Sequence, residues 1–343
     1  MDNPKNIIVR MPNWIGDAVM AMPVLADLRH QFPKAKISAL CQGGAGELLK
    51  HDPRVDEVIS FKKPSGFIAH IKRSPLIENL KKGNYDTGLL LTNSFSSAWM
   101  FFRGGVSNRI GFSKNLRSWL LNAPIPFPKN METTHLTQTY KKLLSPLGIK
   151  PSGTKPDLIV SASEKAEAKK FLEHLGVPDD AILVGVNPGA AYGSAKCWLP
   201  DRFHDTAKEL LKDPKVWILF FGDQKGRPLT EEVSQDLGDR VINLAGKTTL
   251  RELVVYISCL NVLLSNDSGP MHIASALSVP VVALFGSTND TKTGPINRSI
   301  VIHKHVECSP CYKRECPIDF RCMTKIHTDE VVQAIRRLLD VER

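Results

Sequence analysis

The sequence has no apolar run long enough to cross a membrane. Its longest apolar stretches, such as residues 279–285, fall far short of the ~18 residues that a membrane span needs. The first residues lead into a short apolar stretch and contain no apolar core of a secretory signal peptide. These absences argue against a membrane-spanning protein and predict a chain that stays in the cytoplasm.

Two common nucleotide-binding signatures are also absent. Nowhere does the sequence contain G-x-x-x-x-G-K-[ST], the phosphate-binding loop of many NTPases. Residues 42–46, Gln-Gly-Gly-Ala-Gly, follow an apolar stretch but lack the complete G-x-G-x-x-G spacing of a dinucleotide-binding loop. The sequence therefore argues against a P-loop NTPase and against this form of dinucleotide site.

Cysteine is scarce, and four of the seven cysteines lie close together near the end of the chain. The odd total is typical of reduced thiols. Cys308, Cys311, Cys316 and Cys322 have the spacing C-x2-C-x4-C-x5-C, which permits a zinc site or an iron–sulfur cluster. A strong zinc signature contains paired C-x2-C elements, which this segment lacks, so we predict a structural loop with no metal.

Positive charge is concentrated in the first half of the chain. Residues 1–165 contain 23 Lys and Arg against 12 Asp and Glu, whereas residues 166–343 contain 22 against 23, which gives net charges of +11 and −1. A basic half predicts an anionic partner, either a nucleic acid or a membrane surface that carries phosphates, although solvated lysines explain the same charge.

The basic residues form small groups, and aromatic residues are interleaved with the last of them. This mixture favours a membrane interface, unless the rings belong to the core. The groups are Lys62-Lys63, Lys72-Arg73, Lys81-Lys82 and the stretch from Arg103 to Arg117, which has Phe101, Phe102, Phe112 and Trp119 in or beside it.

Short β-branched stretches alternate with helical patterns along the chain, which predicts parallel sheets covered by helices. The chain is long enough for two domains. Residues 146–156, with three prolines and two glycines, interrupt the alternation and are typical of a linker. We predict domains at 1–160 and 161–327, followed by an amphipathic helix at 328–343. The predicted strands contain residues 7–9, 37–40, 58–59, 87–91, 183–186, 216–221, 241–242, 262–264 and 279–285.

The most informative motif is residues 266–272, Asn-Asp-Ser-Gly-Pro-Met-His, which join a predicted strand to a predicted helix. Ser268 and Gly269 are small and leave the first amides of the helix open to a phosphate. A simple helix cap by Asp267 or Ser268 is the default explanation if the motif stands alone.

Three further strand-end loops accompany this motif, and ligands of parallel α/β sheets bind at the carboxyl ends of strands. Residues 11–17 follow the first strand. In the second half, residues 187–196 form a glycine-bearing loop that ends in Lys196, and residues 286–288 form another. The loops of the second half share one sheet edge and predict a cradle for a diphosphate.

Together these loops resemble those of glycosyltransferase family 9, the ADP-heptose transferases that build the inner core of lipopolysaccharide. The resemblance covers nearly the whole chain. The motif at 266–272 and the cysteine-bearing segment after residue 307 are more similar to heptosyltransferase II than to heptosyltransferase I. The matching motifs are Trp14-Ile15-Gly16-Asp17, Asn187-Pro188-Gly189-Ala190 with Lys196 and Trp198, Ala245-Gly246-Lys247-Thr248, Asn266 to His272, and Phe285-Gly286-Ser287-Thr288.

The resemblance implies an α/β fold of the GT-B type, with two Rossmann-like domains facing a central cleft and a last helix that crosses back to the first domain. It implies that the second domain binds ADP-heptose and the first binds heptosyl-Kdo2-lipid A, with no cofactor or metal. The positive charge of the first half independently supports an acceptor site there, because lipid A phosphates and Kdo carboxylates are anionic. We therefore expect a cytoplasmic enzyme at the inner-membrane surface of a Gram-negative-type bacterium, with no nucleic-acid partner.

Sugar transfer with inversion needs a base for the acceptor hydroxyl and cations or N–H groups for the departing diphosphate. Asp17 matches the catalytic aspartate of the family, and the alternative role is the N-cap of the following helix. Lys196 is the candidate cation, and an exposed lysine is the alternative. The other candidate donor-binding residues are Gly189, Thr248, Asp267, Ser268, Gly269 and His272, although His272 alone is typical of a core histidine. The candidate anion-binding residues for the acceptor are Arg109, Lys114 and Arg117.

Other functions stay open at this point. The alternatives among enzymes are heptosyltransferase I or III, another nucleotide-sugar transferase, and an epimerase of the same fold. They differ from the favoured function in the substrates that they use. A basic nucleic-acid-binding protein is the alternative from another class, and it predicts salt-sensitive nucleic-acid binding without sugar-nucleotide binding.

Overall fold

The computed structural model describes residues 3–62 and 75–340. The chain divides into two compact units, Met1–Asp157 and Leu158–Arg343, close to the boundary predicted at residue 160. Each unit contains a six-stranded parallel sheet. Three residues of the predicted basic groups, Lys63, Lys72 and Arg73, lie outside the described residues.

The first unit is a parallel sheet with helices between its strands. The sheet has the order β3-β2-β1-β4-β5-β6 for strands β1 (Asn6–Arg10), β2 (Lys36–Gln42), β3 (Glu57–Phe61), β4 (Thr87–Leu90), β5 (Asn108–Ser113) and β6 (Ala123–Pro126). Four helices accompany these strands in the described part of this unit, namely α1 (Ile15–Gln31), α2 (Pro75–Lys82), α3 (Phe95–Arg103) and α4 (Leu136–Lys141). Strands β1 and β4 are buried almost throughout, as expected for a sheet covered on both faces. The short turns of 3-10 helix are Gly43–Leu49, Ser118–Leu120 and Lys142–Leu147.

The predicted linker is bound to the first unit by a buried polar network. The ammonium of Lys141 is fully buried and donates to the carbonyl oxygens of Ser152 (2.9 Å) and Thr154 (2.7 Å). Both hydroxyls donate to the carboxylate of Asp27, which lies 3.6 Å from the ammonium. The chain therefore leaves the first unit along a fixed path.

The second unit repeats the architecture of a parallel sheet with interspersed helices. Its sheet has the order β12-β11-β10-β7-β8-β9 for strands β7 (Ile182–Asn187), β8 (Val216–Phe220), β9 (Val241–Asn243), β10 (Val262–Asn266), β11 (Val281–Phe285) and β12 (Ser299–His303). Its helices in the described residues are α5 (Ala162–His174), α6 (Pro200–Leu210), α7 (Arg227–Ser234), α8 (Leu250–Ile257), α9 (Gly269–Ala276), α10 (Asp290–Thr293), α11 (Arg321–Thr324) and α12 (Thr328–Asp340). A turn of 3-10 helix covers Ser194–Lys196.

The last helix differs from its predicted position. Residues 328–343 were assigned to the first domain, but α12 packs on α6 and on strands β10, β11 and β12. Its apolar stripe, which includes Val331, Ile335 and Leu338, is buried in the main core of the second unit. The described part of this helix thus completes the second sheet's cover, because that sheet face would otherwise expose apolar side chains.

No helix in the described ranges combines the length and the apolar character required to cross a bilayer.

Candidate active site

Two buried asparagines tie together the loops that follow the adjacent strands β7 and β10. The side chain of Asn266 accepts from the backbone N–H of Trp198 (3.0 Å) and donates to the carbonyl oxygen of Pro188 (2.7 Å). Asn187 donates to the hydroxyl of Ser268 (3.0 Å) and to the carbonyl oxygen of Gly189 (2.9 Å). The two loops that were predicted to share a sheet edge are therefore joined directly.

Helix α9 begins at these loops without a side-chain cap. Ser268 occupies the N-cap position, but its hydroxyl makes no cap hydrogen bond and instead contacts Asn187 and the hydroxyl of Ser265. The simple capping role considered for the motif is therefore wrong for Ser268. An uncapped helix start with half-exposed Ser268 and Gly269 presents N–H groups and the positive end of the helix dipole to an anion.

Lys196 is paired rather than solvated. Its ammonium lies 2.5 Å from the Oδ2 atom of Asp267 and over the ring of Tyr192, 5.0 Å from the centroid. The same Oδ2 accepts from the hydroxyl of Thr288 (2.7 Å), and the Nε2 atom of His272 lies 3.9 Å from Oδ1. The lysine side chain keeps 15% exposure, so the ammonium can also meet a ligand. Lys196 and Thr288, from two strand-end loops, thus both contact the carboxylate of Asp267 in a third.

The other two predicted donor residues have open surroundings. A side chain at Gly189 would meet nothing within 4 Å, so packing does not require glycine there. Thr248 is half-buried and follows β9, two strands from β7 in the sheet, a distance of roughly 10 Å at the usual strand spacing. Such a distance from the predicted diphosphate cradle is suitable for a nucleoside.

Residues 309–314 support the loops that were predicted to bind the donor, and the sequence analysis gave these residues no such role. The carbonyl oxygen of Arg314 accepts from the N–H of Ala195 (2.9 Å), and a Cβ atom on Gly193 (φ 155°) would clash with this carbonyl. Tyr312 donates its N–H to the carbonyl of Ser287 (2.8 Å). Its own carbonyl accepts from the hydroxyl of Tyr192 (2.7 Å). The close glycine approach is the signal from which this contact could have been suspected.

In the first unit, Asp17 lies in the first turn of α1 after the loop that follows β1. The N-cap of this helix is Trp14, so the alternative role of Asp17 as N-cap is wrong. The carboxylate is half-buried and lies near the positive end of the helix dipole. Burial, and then the charge of Asp17, raises the pKa of the hydroxyl of the buried Tyr140.

Arg10, at the end of β1, is a second charged residue in this region that sequence reasoning missed. Its guanidinium is buried, contacts the ring of Phe61 at 4.8 Å, and donates to neutral acceptors that include Asn13 and Gln42. Its Nε atom has no hydrogen-bond partner. Burial lowers the pKa of Arg10 to about 10. A buried cation beside the loop of Asp17 adds positive potential at the end of the central strand.

The three residues predicted to bind acceptor anions lie in different surroundings. Lys114 follows the end of β5 and is exposed, with its ammonium 3.9 Å from the ring centroid of Phe127. Arg117 is fully buried, donates to backbone oxygens of Phe112 and Thr92, and has its pKa lowered to about 10 by burial. Arg109 is at the opposite end of β5, and its guanidinium donates to the carbonyl of Leu120 (2.6 Å). Only Lys114 of these three is therefore presented at the expected sheet edge.

The four clustered cysteines surround one small cavity in the second unit. All are free thiols; Cys322 is buried, Cys311 and Cys316 are half-buried, and Cys308 is exposed. Burial, and then the neighbouring thiols of Cys316, Cys308 and Cys311, raises the pKa of Cys322. Spacing alone could not establish that all four would meet at one place.

Comparison with known proteins agrees with this arrangement. The model of glycosyltransferase family 9 (heptosyltransferase) matches residues 73–320. Lipooligosaccharide heptosyltransferase 2 of Haemophilus ducreyi is 31% identical over 97% of this chain and 99% of its own. Lipopolysaccharide heptosyltransferase 2 of Escherichia coli K12 is 30% identical over 85% of each chain.

Solved structures lead to the same family. The structure of E. coli ADP-heptose lps heptosyltransferase II covers 98% of this chain and 99% of its own at 26% identity, with a TM-score of 0.83. That agreement extends across both parallel sheets, which confirms the predicted α/β GT-B fold. Since the family match spans most of the chain and the relatives align nearly end to end, this chain belongs to glycosyltransferase family 9, the heptosyltransferases.

Proposed function

We propose that this enzyme transfers a heptose from ADP-heptose to the first heptose of the lipopolysaccharide inner core, heptosyl-Kdo2-lipid A. The names of its relatives support this assignment, since several are heptosyltransferases 2 of lipopolysaccharide or lipooligosaccharide. The observation that carries the donor half of the proposal is the uncapped start of α9 beside the Lys196–Asp267 pair. This combination suits a sugar nucleotide with a diphosphate.

The proposed reaction is a single displacement with inversion. The carboxylate of Asp17 accepts the proton of the acceptor hydroxyl, whose oxygen attacks the anomeric carbon of the donor. The bond from that carbon to the diphosphate oxygen breaks, and ADP departs with the bonding electrons. Lys196 and the first N–H groups of α9 stabilise the charge that develops on the diphosphate. Ser268, Gly269 and Gly189 allow close approach, and Thr248 and His272 contact the nucleotide. No step requires a metal or another cofactor.

We further propose that the first unit attaches to the anionic surface of the inner membrane. Four aromatic rings of α3 and the 118–120 turn form a contiguous surface group, with neighbouring centroids 5.7 to 6.5 Å apart. Trp119, a member of this group, is 66% exposed, and Leu116, three residues before it in the chain, is 90% exposed. The group, called the aromatic patch below, consists of Phe95, Trp99, Phe102 and Trp119.

Cationic side chains border the aromatic patch. Arg103 lies 5.8 Å from the ring of Trp99, and Arg109 lies 5.4 Å from that of Phe102. Phe101 and Phe112 are buried in the core. For these two rings, the alternative prediction of a place in the core is therefore correct. Rings beside cations are typical of surfaces that enter the headgroup region, and the +11 charge of residues 1–165 adds attraction to anionic lipid.

A transfer assay tests the proposed reaction. The purified enzyme is incubated with ADP-heptose and heptosyl-Kdo2-lipid A, and mass spectrometry measures the gain of one heptose by the acceptor and the release of ADP. We expect transfer to this acceptor and little to Kdo2-lipid A without heptose. Preference for the heptose-free acceptor would indicate heptosyltransferase I, and turnover of another nucleotide sugar would move the enzyme to another donor class. A gel-shift control with duplex DNA and RNA should show no salt-resistant binding.

Replacing Asp17 with Asn tests its role as the base. We expect transfer to fall by at least about 100-fold, the lower range of general-base contributions. Binding of ADP and the melting temperature should stay near those of the wild type, since Asn keeps the shape. Glu78→Gln is the matched control, because Glu78 is an exposed carboxylate in the first turn of another helix of the same unit. Equal losses of transfer and ADP binding in Asp17→Asn would show a structural role instead.

A further inference from the structure

Four thiols surround one cavity of about 60 Å³ in the second unit. Its wall contains Cys308, Cys311, Cys316 and Cys322 and also two residues of the donor loops, Ala195 and Ser287. The cavity therefore lies between the cysteine segment and the loops that we assign to the donor.

Charged and polar groups also line this cavity. Its wall contains Lys313 and also Arg321, which pairs with Asp319 at 2.9 Å. The Sγ atom of Cys316 accepts the backbone N–H of Phe320 at 3.3 Å. The hydroxyl of Ser287 is buried, lines the cavity and has no hydrogen-bond partner. A metal-bound thiolate would accept from this hydroxyl, which a set of apolar thiols would leave unsatisfied.

The cysteine segment also contains little regular secondary structure. Between the end of β12 at His303 and the start of α12 at Thr328, the only regular element is the four-residue helix α11. Three residues other than glycine, His305, Tyr312 and Phe320, have left-handed φ angles of 43° to 61°. Such conformations persist where surrounding contacts fix them, and the cysteines form no disulfide here.

A second group of possible ligands lies nearby and serves a different purpose. Among the described residues, Asp290, His303 and His305 are the set whose ligand atoms all lie within 4.8 Å of one another. Both ring nitrogens of His303 are already engaged, with Asp290 Oδ1 and with the hydroxyl of Ser309, each at 2.8 Å. This set therefore positions Ser309 by a hydrogen bond instead of binding a metal ion. The hydroxyl of Ser309 in turn donates to the carbonyl of Gly286.

We propose that Cys308, Cys311, Cys316 and Cys322 bind one thiophilic metal ion, zinc or iron, as four thiolates. This proposal revises the sequence-based prediction of a metal-free loop, because the structure brings all four thiols and an unpaired hydroxyl to one cavity. The sulphur atoms are spread more widely than the Asp290 group, so binding draws them inward to metal–sulphur distances of about 2.3 Å and releases the thiol protons to solvent. Cys308 is exposed, so the surrounding core does not fix its side chain.

The ion would stabilise the donor loops through the segment that holds it. Ser309, Tyr312 and Arg314 contact the loops at 286–287 and 192–195 by hydrogen bonds. Fixing the cysteines thus fixes the backbone that supports Lys196 and Thr288. This second effect rests on the proposed donor site, whereas the metal site itself does not.

Metal analysis of the untagged protein tests the site. We expect about one zinc or iron per chain by mass spectrometry of the elements, and a cobalt-substituted form with the visible bands of a tetrahedral thiolate site. Zinc would leave the protein colourless, whereas iron would give it the absorption of an iron–thiolate centre. Removing a residue that only hydrogen-bonds to a metal ligand weakens metal binding by roughly 10- to 100-fold. Cys311→Ser and Cys316→Ser each remove a ligand itself, so each should weaken metal binding by more than this. Cys259→Ser, a half-buried cysteine elsewhere in the same unit, should keep the metal.

Three outcomes would overturn the metal site. These are a metal-free protein whose four thiols all react with a thiol reagent, disulfides among the four cysteines, or metal that is lost in His305→Ala and kept in Cys311→Ser. The effect on the donor loops is measured separately as ADP affinity, which should fall roughly tenfold when a chelator removes the ion, about the scale of one lost hydrogen bond. Metal-loaded protein that fails to bind ADP would contradict the proposed function and leave the metal site intact.

Discussion

At the residue scale, Lys196 has two roles that experiments can separate, one within the protein and one toward the donor. Its ammonium neutralises the carboxylate of Asp267 at 2.5 Å, and we propose that it also binds the donor diphosphate. A diphosphate must therefore share this cation with Asp267, with Thr288 holding the carboxylate in place. We therefore propose that binding of ADP depends on the charges of Lys196, Asp267 and the diphosphate together, rather than on one free lysine.

Lys196→Ala should weaken ADP binding by roughly 10- to 100-fold, the size of one charge-assisted hydrogen bond. It should also lower the free energy of unfolding by about 2 kcal/mol, less than the ~3–5 kcal/mol of a fully buried pair, because Lys196 keeps 15% exposure. Calorimetric titration with ADP and chemical denaturation measure the two effects.

The double variant Lys196→Ala/Asp267→Asn is the control for that experiment. Removing the unpaired carboxylate should restore stability without restoring ADP affinity. Recovery of both would mean that Lys196 only neutralises Asp267 and does not contact the diphosphate.

The residue types and their loops could be predicted from the sequence, because strand ends of parallel sheets lie on one edge. Lys196, Asp267 and Ser268 were found in this way. Their partners could not be predicted, since the contact of Ala195 with Arg314 joins residues far apart in the chain. Arg117 shows the opposite error, because a basic residue in a charged stretch was assigned to the surface and is fully buried.

At the element scale, one ion pair fastens the first helix of the second unit to α8. Glu164 completes the capping box of α5 and accepts two hydrogen bonds from Arg251, at 2.8 and 2.6 Å. Both side chains are largely buried. Hydrogen bonding to Arg251 is the main cause that lowers the pKa of Glu164, so folding favours the ionised carboxylate.

Glu164→Gln should therefore lower the free energy of unfolding near neutral pH by about 2–3 kcal/mol. A carboxyl with a lowered folded-state pKa stabilises the protein above its unfolded pKa of about 4.3 and loses this contribution as the pH falls through the folded-state value. The melting temperatures of wild type and variant should hence converge in acid.

Glu231→Gln provides the matched control, since Glu231 forms an exposed pair with Arg227 on α7. Its effect should stay below about 0.5 kcal/mol at every pH. A constant difference between wild type and Glu164→Gln across the acid range would contradict the linkage argument.

Recognition of the strands did not follow their position in the sheets, since the edge strands β3 and β9 were recognised and the interior strand β5 was not. Strands β7, β10 and β11 are buried on both faces and were recognised, whereas β5, β6 and β12 were not. Strands β6 and β12 are edges with alternating or partial burial, and β6 contains two prolines, which suit an edge. The position of α12 depended on which sheet its apolar stripe covers, and amphipathicity alone does not specify that.

At the scale of the whole molecule, charge and apolar surface are unevenly distributed. The basic first half also carries the aromatic patch, whereas residues 166–343 are nearly neutral. In the proposed attachment, charge would attract the protein to an anionic surface, and inserted rings would then hold it there. The proposed lipid-linked acceptor would thus meet the unit that contains Asp17.

Leu116→Ser/Trp119→Ser should reduce binding to vesicles of anionic phospholipid by at least about tenfold, since each side chain buries apolar surface worth ~1.5–3 kcal/mol at full burial. Sedimentation with vesicles measures the bound fraction. Raising the salt concentration should weaken the binding of wild type and variant alike, because the basic residues remain. Transfer to an acceptor in detergent should be unchanged, since the substitutions leave the proposed base and donor loops intact.

Leu175→Ser is the matched control, because Leu175 is 41% exposed in the second unit and outside the aromatic patch. Its vesicle binding should equal that of the wild type. Equal losses in both variants would show that any exposed apolar side chain contributes to the attachment. Unchanged binding in Leu116→Ser/Trp119→Ser would leave charge alone as the cause, and the aromatic patch would then have no part in attachment to the membrane.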